Sequence, residues 1–331
     1  MLALAVAVVL LAAPAVDAPE YQEQLSEGLR RHDGGDYAGA MAVYRAMLAT
    51  WPHEPLIVYE LSLSMNAAGT SPDELISFVE SELKVMKKPN AELYSMLGSL
   101  WDSKRELAKG EAWFRKGVAS FPKSGELRFN LGINLAMQRK NAEAEKELLR
   151  CAEAEPNRPG VWRTLSILSL DMNRLTEAVV TKMRFVLLEP RSERGQSAAR
   201  SLEELLWRSV RVDGKNVTIT VSNENDMVVG LMMAASVTKK ELSESEQLVD
   251  AMRGLIDFAG EDPKRALLKS ASSLFFEAKK AGVLEAALWE LRRAASDPAA
   301  DVWFSKHRKE AEAFDAFIGP RREKARRASP P

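Results

Sequence analysis

The chain has 331 residues, 46% of them hydrophobic, so it is long enough for two compact units and apolar enough to fold them. Lys and Arg total 46 against 47 for Asp and Glu, which leaves no net field to draw the whole protein to nucleic acid or to an anionic membrane. The single cysteine, Cys151, excludes an internal disulfide framework, and three scattered histidines argue against a structural zinc site.

The N-terminal segment is an uncharged apolar run from Leu2 to Val16, followed by Asp17 and Ala18. A run of about 15 residues is short for the roughly 20 that a spanning helix needs, and small residues at 16 and 18 suit cleavage after Ala18. We therefore expect residues 1–18 to be an export signal. The Ala-rich, Cys-poor composition favours a bacterial periplasm or cell envelope. Because no basic residue precedes the run, an uncleaved inner-membrane anchor is the alternative.

An internal repeat dominates the first half of the chain. Pro122, Pro156 and Pro190 are 34 residues apart (156 − 122 and 190 − 156). Apolar and small residues recur in register between these prolines. They include Leu97, Leu131 and Leu165; Gly98, Gly132 and Ser166; and Gly110, Ala144 and Ala178.

Each recurring position has a physical reason. Spacings of three and four put Tyr94, Leu97 and Trp101 on one stripe of a first helix, and a second helix carries a matching stripe around Phe114. The small residues let the two helices approach closely. The prolines end the second helix, because proline lacks the amide donor.

This pattern resembles the tetratricopeptide repeat, whose signature is an aromatic, Leu-Gly, an aromatic, a small residue, an aromatic and a final proline. Residues 91–124 fit nearly every position, and an earlier repeat fits with Gly28, Tyr44 and Pro52. Residues 55 to 88 are interpreted as a degenerate repeat split by a turn from Gly69 to Pro72. The resemblance covers residues 21–190 and implies a right-handed α-solenoid of helix hairpins.

A solenoid of this kind has a concave face, lined by the first helix of each hairpin, that suits an extended or helical segment of another protein. Asn130 and Arg163 could hold a backbone amide or a carboxylate. Relatives that bind chaperone C-termini need several more such residues, so we do not expect that activity. The alternative is a groove that is merely solvated or covered by the chain's own C-terminal part. Nine side chains are predicted to face the groove: Ser95, Ser99, Asp102, Phe129, Asn130, Ile133, Arg163, Thr164 and Ile167.

Beyond Pro190 the period stops, and a helix from Ser197 to Val210 is expected to cap the solenoid. Alternation from Val217 to Val221, then a turn and the apolar run from Met227 to Val237, predict a small two- or three-stranded meander.

Helix signals resume at Ser243, a plausible N-cap with Glu246 three residues on. Further helices are expected from Asp262-Pro263 to about Gly282, from Val283 to Ala295 and from Asp297-Pro298 onward. The resulting fold class is mainly α, with a small α+β domain after the solenoid. The expected segments are 1–18 signal peptide, 19–211 solenoid with capping helix, 212–320 α+β domain and 321–331 basic flexible tail.

The sequence contains no phosphate-binding loop, no GxSxG motif and no HExxH motif, and its histidines are isolated from one another. Cys151 occupies a packing position and is interpreted as a small buried hydrophobe. We therefore expect no catalytic residue, metal or cofactor. The expected function is a non-enzymatic envelope scaffold whose partner is another protein, with no nucleic acid, and no membrane unless residues 1–18 stay uncleaved. The alternative is that 212–320 is a ligand-binding or enzymatic module with the solenoid as adapter.

Overall fold

The structure, a computed structural model, describes residues 16, 18–213, 216–219, 224–261 and 265–328. The described chain is mainly α-helical and forms two compact units, Met1–Asn134 (the N-terminal unit) and Leu135–Pro331 (the C-terminal unit). None of the described helices combines the length and the apolar character needed to cross a bilayer.

The helices of the repeat follow the predicted period. The helices α5, α7 and α9 begin 34 residues apart (125 − 91 and 159 − 125), and so do α6, α8 and α10 (141 − 107 and 175 − 141). This regularity confirms the tetratricopeptide-type solenoid, and residues 55 to 88 form the two helices α3 and α4. The bounds are α1 (Pro19–Asp33), α2 (Tyr37–Thr50), α3 (Pro55–Ala67), α4 (Pro72–Val85), α5 (Ala91–Ser103), α6 (Leu107–Ser120), α7 (Gly125–Met137), α8 (Asn141–Ala154), α9 (Pro159–Asp171) and α10 (Leu175–Leu188).

The same turn reverses the chain within every repeat. One residue between the first and second helix adopts a left-handed backbone conformation, which only glycine adopts without steric cost. The φ angles are 80° at Gly35, 85° at Gly69, 63° at Arg105, 62° at Arg139 and 54° at Asn173. A common turn therefore persists where arginine or asparagine stands in place of glycine.

The small residues in the helix stripes have the packing role that the sequence predicts. A Cβ atom at Gly98 would overlap the ring of Phe114, which is 1% exposed. A Cβ atom at Gly110 would lie 2.9 Å from the Gly98 carbonyl oxygen. The backbones of α5 and α6 thus approach more closely than any larger side chain would allow.

The C-terminal unit is built around α10. Every residue of this helix except Lys182 is buried, because α9, α11, α12, α14, α15 and α17 all pack against it. The chain's own C-terminal helices therefore cover the last second helix of the repeat. Their bounds are α11 (Glu193–Trp207), α12 (Glu224–Val237), α13 (Glu244–Glu261), α14 (Ala266–Lys280), α15 (Leu284–Ala294), α16 (Pro298–Lys306) and α17 (Arg308–Arg327).

The predicted meander is wrong in extent. The described strands are β1 (Val210–Asp213) and β2 (Asn216–Ile219), an antiparallel pair with Val210 opposite Ile219. The apolar run from Met227 to Val237 lies in α12, because an unbroken apolar run has no strand period and fits a packed helix equally well. Thr220, Val221 and the turn glycine at 214 lie outside the described residues.

Several helix signals of the C-terminal unit are confirmed. The Ser243 amide donates to Glu246 Oε2 at 2.8 Å, and the Glu246 amide donates back to Ser243 Oγ at 3.4 Å. Asp297 caps α16 by accepting from the Ala299 amide at 3.0 Å. The Asp262-Pro263 signal lies outside the described residues.

The basic segment near the C-terminus also differs from the prediction. Residues 321–327, expected to be a flexible tail, form the end of α17. Phe314, Ile318 and Ala325 are buried on one face of this helix, so the apolar stripe holds the charged end against the unit.

A further hairpin resembles the repeats although its consensus residues are absent. Three residues separate α14 from α15, as three separate α5 from α6, and the middle one, Gly282, has φ 71° where Arg105 has 63°. The repeat-like turn therefore recurs inside the region that the sequence assigns to another class.

Candidate functional site

A cavity of about 380 Å³ lies in the N-terminal unit on the faces of the first helices α3, α5 and α7. Residues at matching helix positions build it. Tyr59 and Ser95 are fifth in their helices, Leu63 and Ser99 are ninth, and Glu92 is second in α5. Steps of three to four residues keep these side chains on one helix face. The lining comprises Tyr59, Ser62, Leu63, Asn66, Leu75, Glu92, Ser95, Met96, Ser99, Leu100, Ser103, Glu126 and Asn130.

A short polar network joins α5 to α7 at the wall of the cavity. The Asn130 side-chain amide donates to Ser95 Oγ at 2.7 Å, and Ser95 Oγ donates to Glu126 Oε1 at 3.1 Å. The Ser95 hydroxyl at the centre of this network is 5% exposed, Asn130 is half-buried and Glu126 is exposed. The network holds the Glu126 carboxylate at the cavity.

The rest of the cavity lining is amphipathic. Leu63, Met96 and Leu100 are half-buried and give the cavity an apolar surface. Burial raises the pKa of the half-buried Tyr59 phenol, and the negative charges of Glu126, Glu60 and Glu92 raise it further. The phenol is therefore a neutral donor at physiological pH, and within the described residues its hydroxyl makes no hydrogen bond. The cavity combines apolar contact, an available hydroxyl and two carboxylates.

The predicted groove residues divide into two groups in the N-terminal unit. Ser95, Ser99 and Asn130 line the cavity, whereas Phe129 and Ile133 are half-buried on α7 outside it.

Asp102 does not line the cavity and is hydrogen-bonded to the buried Asn134. It accepts from Asn134 Nδ2 at 2.6 Å, and burial raises the pKa of its carboxyl group although that hydrogen bond lowers it. Its Oδ1 atom also lies where a side chain at Gly110 would stand.

The remaining predicted groove residues lie on α9 in the C-terminal unit. Arg163 and Ile167 are exposed, the latter by 47%. Thr164 is buried, and its hydroxyl donates to the Gly160 carbonyl at 2.8 Å. A role for any of the nine residues in binding a partner stays a prediction.

A larger cleft of about 1200 Å³ lies in the C-terminal unit, between the start of α11 and the second half of α17. Two of its arginines already bind carboxylates of the same unit: Arg194 to Glu189 Oε1 at 2.5 Å and Arg322 to Glu290 Oε1 at 2.8 Å. Because these two arginines form ion pairs within the unit, they stabilise the packing of its helices.

The cavity lining contains no histidine, lysine or cysteine. The ionisable groups in this lining are the Tyr59 phenol and the carboxylates of Glu92 and Glu126, the latter hydrogen-bonded to Ser95. Across the described residues no cluster of three or more His, Cys, Asp or Glu is placed to hold a metal ion. Cys151 is fully buried, as its packing position predicts.

Comparison with solved structures gives similar helical repeat proteins. A thermophilic TPR protein from Thermus thermophilus is 18% identical, with a TM-score of 0.44 over 56% of this chain and 98% of its own. A crystal structure of MamA is 16% identical, with a TM-score of 0.39 over 44% of this chain and 84% of its own. A MamA fragment from Desulfovibrio magneticus is 10% identical, with a TM-score of 0.41 over 57% and 96%.

No protein-family model matches the chain, and comparison of its sequence with curated proteins gives no match. The class is defined by the helices themselves. Second helices of constant length, a 34-residue period from α5 to α10 and a recurring left-handed turn make this a tetratricopeptide-type repeat protein.

Proposed function

We propose that this protein is a non-enzymatic interaction scaffold that holds a segment of another protein against α3, α5 and α7. The observation that carries the proposal is the cavity on these first helices, where Leu63 and Met96 offer apolar contact beside the Tyr59 hydroxyl. Extended surfaces of this kind on helical solenoids suit peptide segments of a partner. The cavity has the volume of a small ligand site, enough for a few side chains of such a segment.

A blocking substitution tests this proposal. Ser99 is exposed and lines the cavity, so Ser99→Trp fills the space without entering the core. Ser81 is exposed on the second helix α4, and Ser81→Trp is the matched control. After cross-linking in envelope extract, we expect the wild type and Ser81→Trp to be joined to the same protein and Ser99→Trp to lose it.

Mapping of the cross-link completes the experiment. The joined peptide of this chain should contain residues of α3, α5 or α7. Equal capture by all three proteins, or cross-links confined to the C-terminal unit, would contradict the proposed site.

We also propose that the protein acts in the bacterial cell envelope after export by residues 1–18. The support is the uncharged apolar segment followed by small residues at 16 and 18. The first residue of the mature protein, measured by mass spectrometry, should be Pro19. A protein that retains the apolar segment and partitions with the inner membrane would favour the anchored alternative.

A further inference from the structure

We infer that the segment bound in the cavity on α3, α5 and α7 is cationic, with a Lys or Arg side chain seated between Glu92 and Glu126 and an apolar side chain against Met96. This inference rests on the proposed function and specifies the chemistry of its partner. Three observations support it: the acidic character of the lining, the remaining hydrogen-bond acceptors of its carboxylates, and the position of both carboxylates at one cavity.

The first helices α3, α5 and α7 carry more acidic than basic residues. Together α3, α5 and α7 carry four carboxylates, Glu60, Glu92, Asp102 and Glu126, and a single basic residue, Arg128. Arg128 is directed elsewhere, since its Nε and Nη2 atoms donate to the Pro122 carbonyl at 3.1 and 2.7 Å. Of these carboxylates, Glu92 and Glu126 line the cavity. Its lining is therefore negatively charged, although the whole chain is nearly neutral with a net charge of −1.

The carboxylates at the cavity retain capacity to accept. From the described part of the chain, Glu126 receives one hydrogen bond, donated by Ser95 to one of its two oxygens. Glu92 is half-buried and has no ion pair among the described residues. A carboxylate can accept several hydrogen bonds, and bonds from an ammonium or guanidinium group are about twice as strong as neutral ones. Both carboxylates can thus accept further hydrogen bonds next to the apolar side chains of the cavity.

Tyr59 ties the two carboxylates to the same space. Tyr59, Glu92 and Glu126 all line the cavity, and the negative charges of the two carboxylates contribute to the raised pKa of the Tyr59 phenol. A cation seated there meets two carboxylates, which favours Lys or Arg. An acidic C-terminus would meet the same carboxylates as repulsive charges, so the cavity selects against it.

Peptide binding to the full chain tests the inference. The probes are three short fluorescent peptides with identical apolar residues whose polar positions are all Lys, all Gln or all Glu. We expect the Lys peptide to bind about ten-fold more tightly than the Gln peptide at physiological salt, the Glu peptide to bind most weakly, and the Lys affinity to fall as salt rises. The methyl signal of Met96, assigned with Met96→Leu, should shift on titration with the Lys peptide.

Two sets of variants make the test specific. The double change Glu92→Gln and Glu126→Gln should remove the preference for the Lys peptide, and Glu92→Lys with Glu126→Lys should transfer it to the Glu peptide. Glu74→Gln with Glu80→Gln, on the second helix α4, should leave the preference unchanged.

The outcomes separate the two proposals. If the Gln or Glu peptide shifts the Met96 signal as strongly as the Lys peptide, and Ser99→Trp abolishes that shift, the cavity binds segments but the cationic assignment is wrong. If no peptide shifts the signal and Ser99→Trp leaves partner capture intact, both proposals fail.

Discussion

Replacing Arg184 with Ala is expected to lower the free energy of unfolding of the C-terminal unit by about 3–5 kcal/mol, because the change removes a buried guanidinium group together with several hydrogen bonds from a charged donor. Arg184 lies on α10 and is 3% exposed. Its Nη1 atom donates to the Ser270 carbonyl and to Ser273 Oγ, each at 2.7 Å. Its Nη2 atom donates to the Pro156 carbonyl at 3.0 Å.

The size of this effect follows from what the guanidinium group connects. It joins the end of α8, helix α10 and helix α14, and it also stacks over the ring of Trp162 at 4.1 Å. Burial lowers the pKa of Arg184 to about 10, so the side chain stays charged at neutral pH. Without it, the part-buried carbonyls of Ser270 and Pro156 each lose a hydrogen bond from a charged donor, which is worth about 1.5–3 kcal/mol. Both carbonyls keep a neutral donor, Ser273 Oγ and Trp162 Nε1 respectively.

Urea unfolding followed by tryptophan fluorescence measures the change, because Trp162 is fully buried beside the cation. Arg184→Lys should recover only part of the loss, since an ammonium group cannot span the same acceptors. Arg200 is exposed on α11, and Arg200→Ala should change stability by less than about 0.5 kcal/mol. Equal stabilities for the two alanine variants would show that the Arg184 contacts do not hold α14 in place.

The architecture of the repeats could be predicted because three kinds of local signal agree. Pro122, Pro156 and Pro190 mark helix ends, small residues mark helix contacts, and apolar stripes have a helical period. Where only one signal was present the prediction failed. The run from Met227 to Val237 is apolar without alternation, so its pattern does not distinguish a strand from a helix. It forms helix α12, which packs against α10, α11 and α13.

The candidate site was predicted only in part. Ser95, Ser99 and Asn130 were found by taking residues off the packing stripe of well-matched repeats. Tyr59 was missed because its repeat lacks consensus residues, although it holds the same fifth helix position as Ser95. Glu92 and Glu126 were missed because a carboxylate near a helix N-terminus is ordinary by itself. Counting positions from each helix start would have revealed all three.

Arg184 illustrates a different limit. Its partners Ser270 and Ser273 follow it by more than 80 residues, and no local pattern indicates that an arginine in a repeat helix will be buried. The repeat period predicts helices and their contacts within a hairpin, whereas the covering of α10 depends on the fold of the remaining chain.

The second large effect is expected at the C-terminal end of α17. Arg322 donates through Nε to the Leu187 carbonyl at 3.0 Å and through Nη2 to Glu290 Oε1 at 2.8 Å. The side chains of Arg322 and Glu290 are only 13% and 8% exposed. Burial lowers the pKa of Arg322, although the charge of Glu290 raises it. The pair therefore fastens α17 to α10 and α15 in a shielded environment.

Arg322→Ala should lower the free energy of unfolding by about 3 kcal/mol, because it leaves the Glu290 carboxylate buried without its main partner. The estimate stands at the lower end of the range for broken buried pairs, since Arg293 also approaches Glu290, at 4.0 Å. Arg326 is exposed one turn further along α17, and Arg326→Ala should be neutral to within about 0.5 kcal/mol.

A double replacement distinguishes a broken ion pair from lost packing. Arg322→Met with Glu290→Met removes both charges and keeps apolar volume, so it should recover most of the stability that Arg322→Ala loses. A frayed basic tail would make Arg322→Ala and Arg326→Ala equally neutral. If the double variant is no more stable than Arg322→Ala, the loss comes from the hydrogen bond of Arg322 to the Leu187 carbonyl and its position over the Phe314 ring, 5.6 Å from the ring centroid, and not from an uncompensated carboxylate.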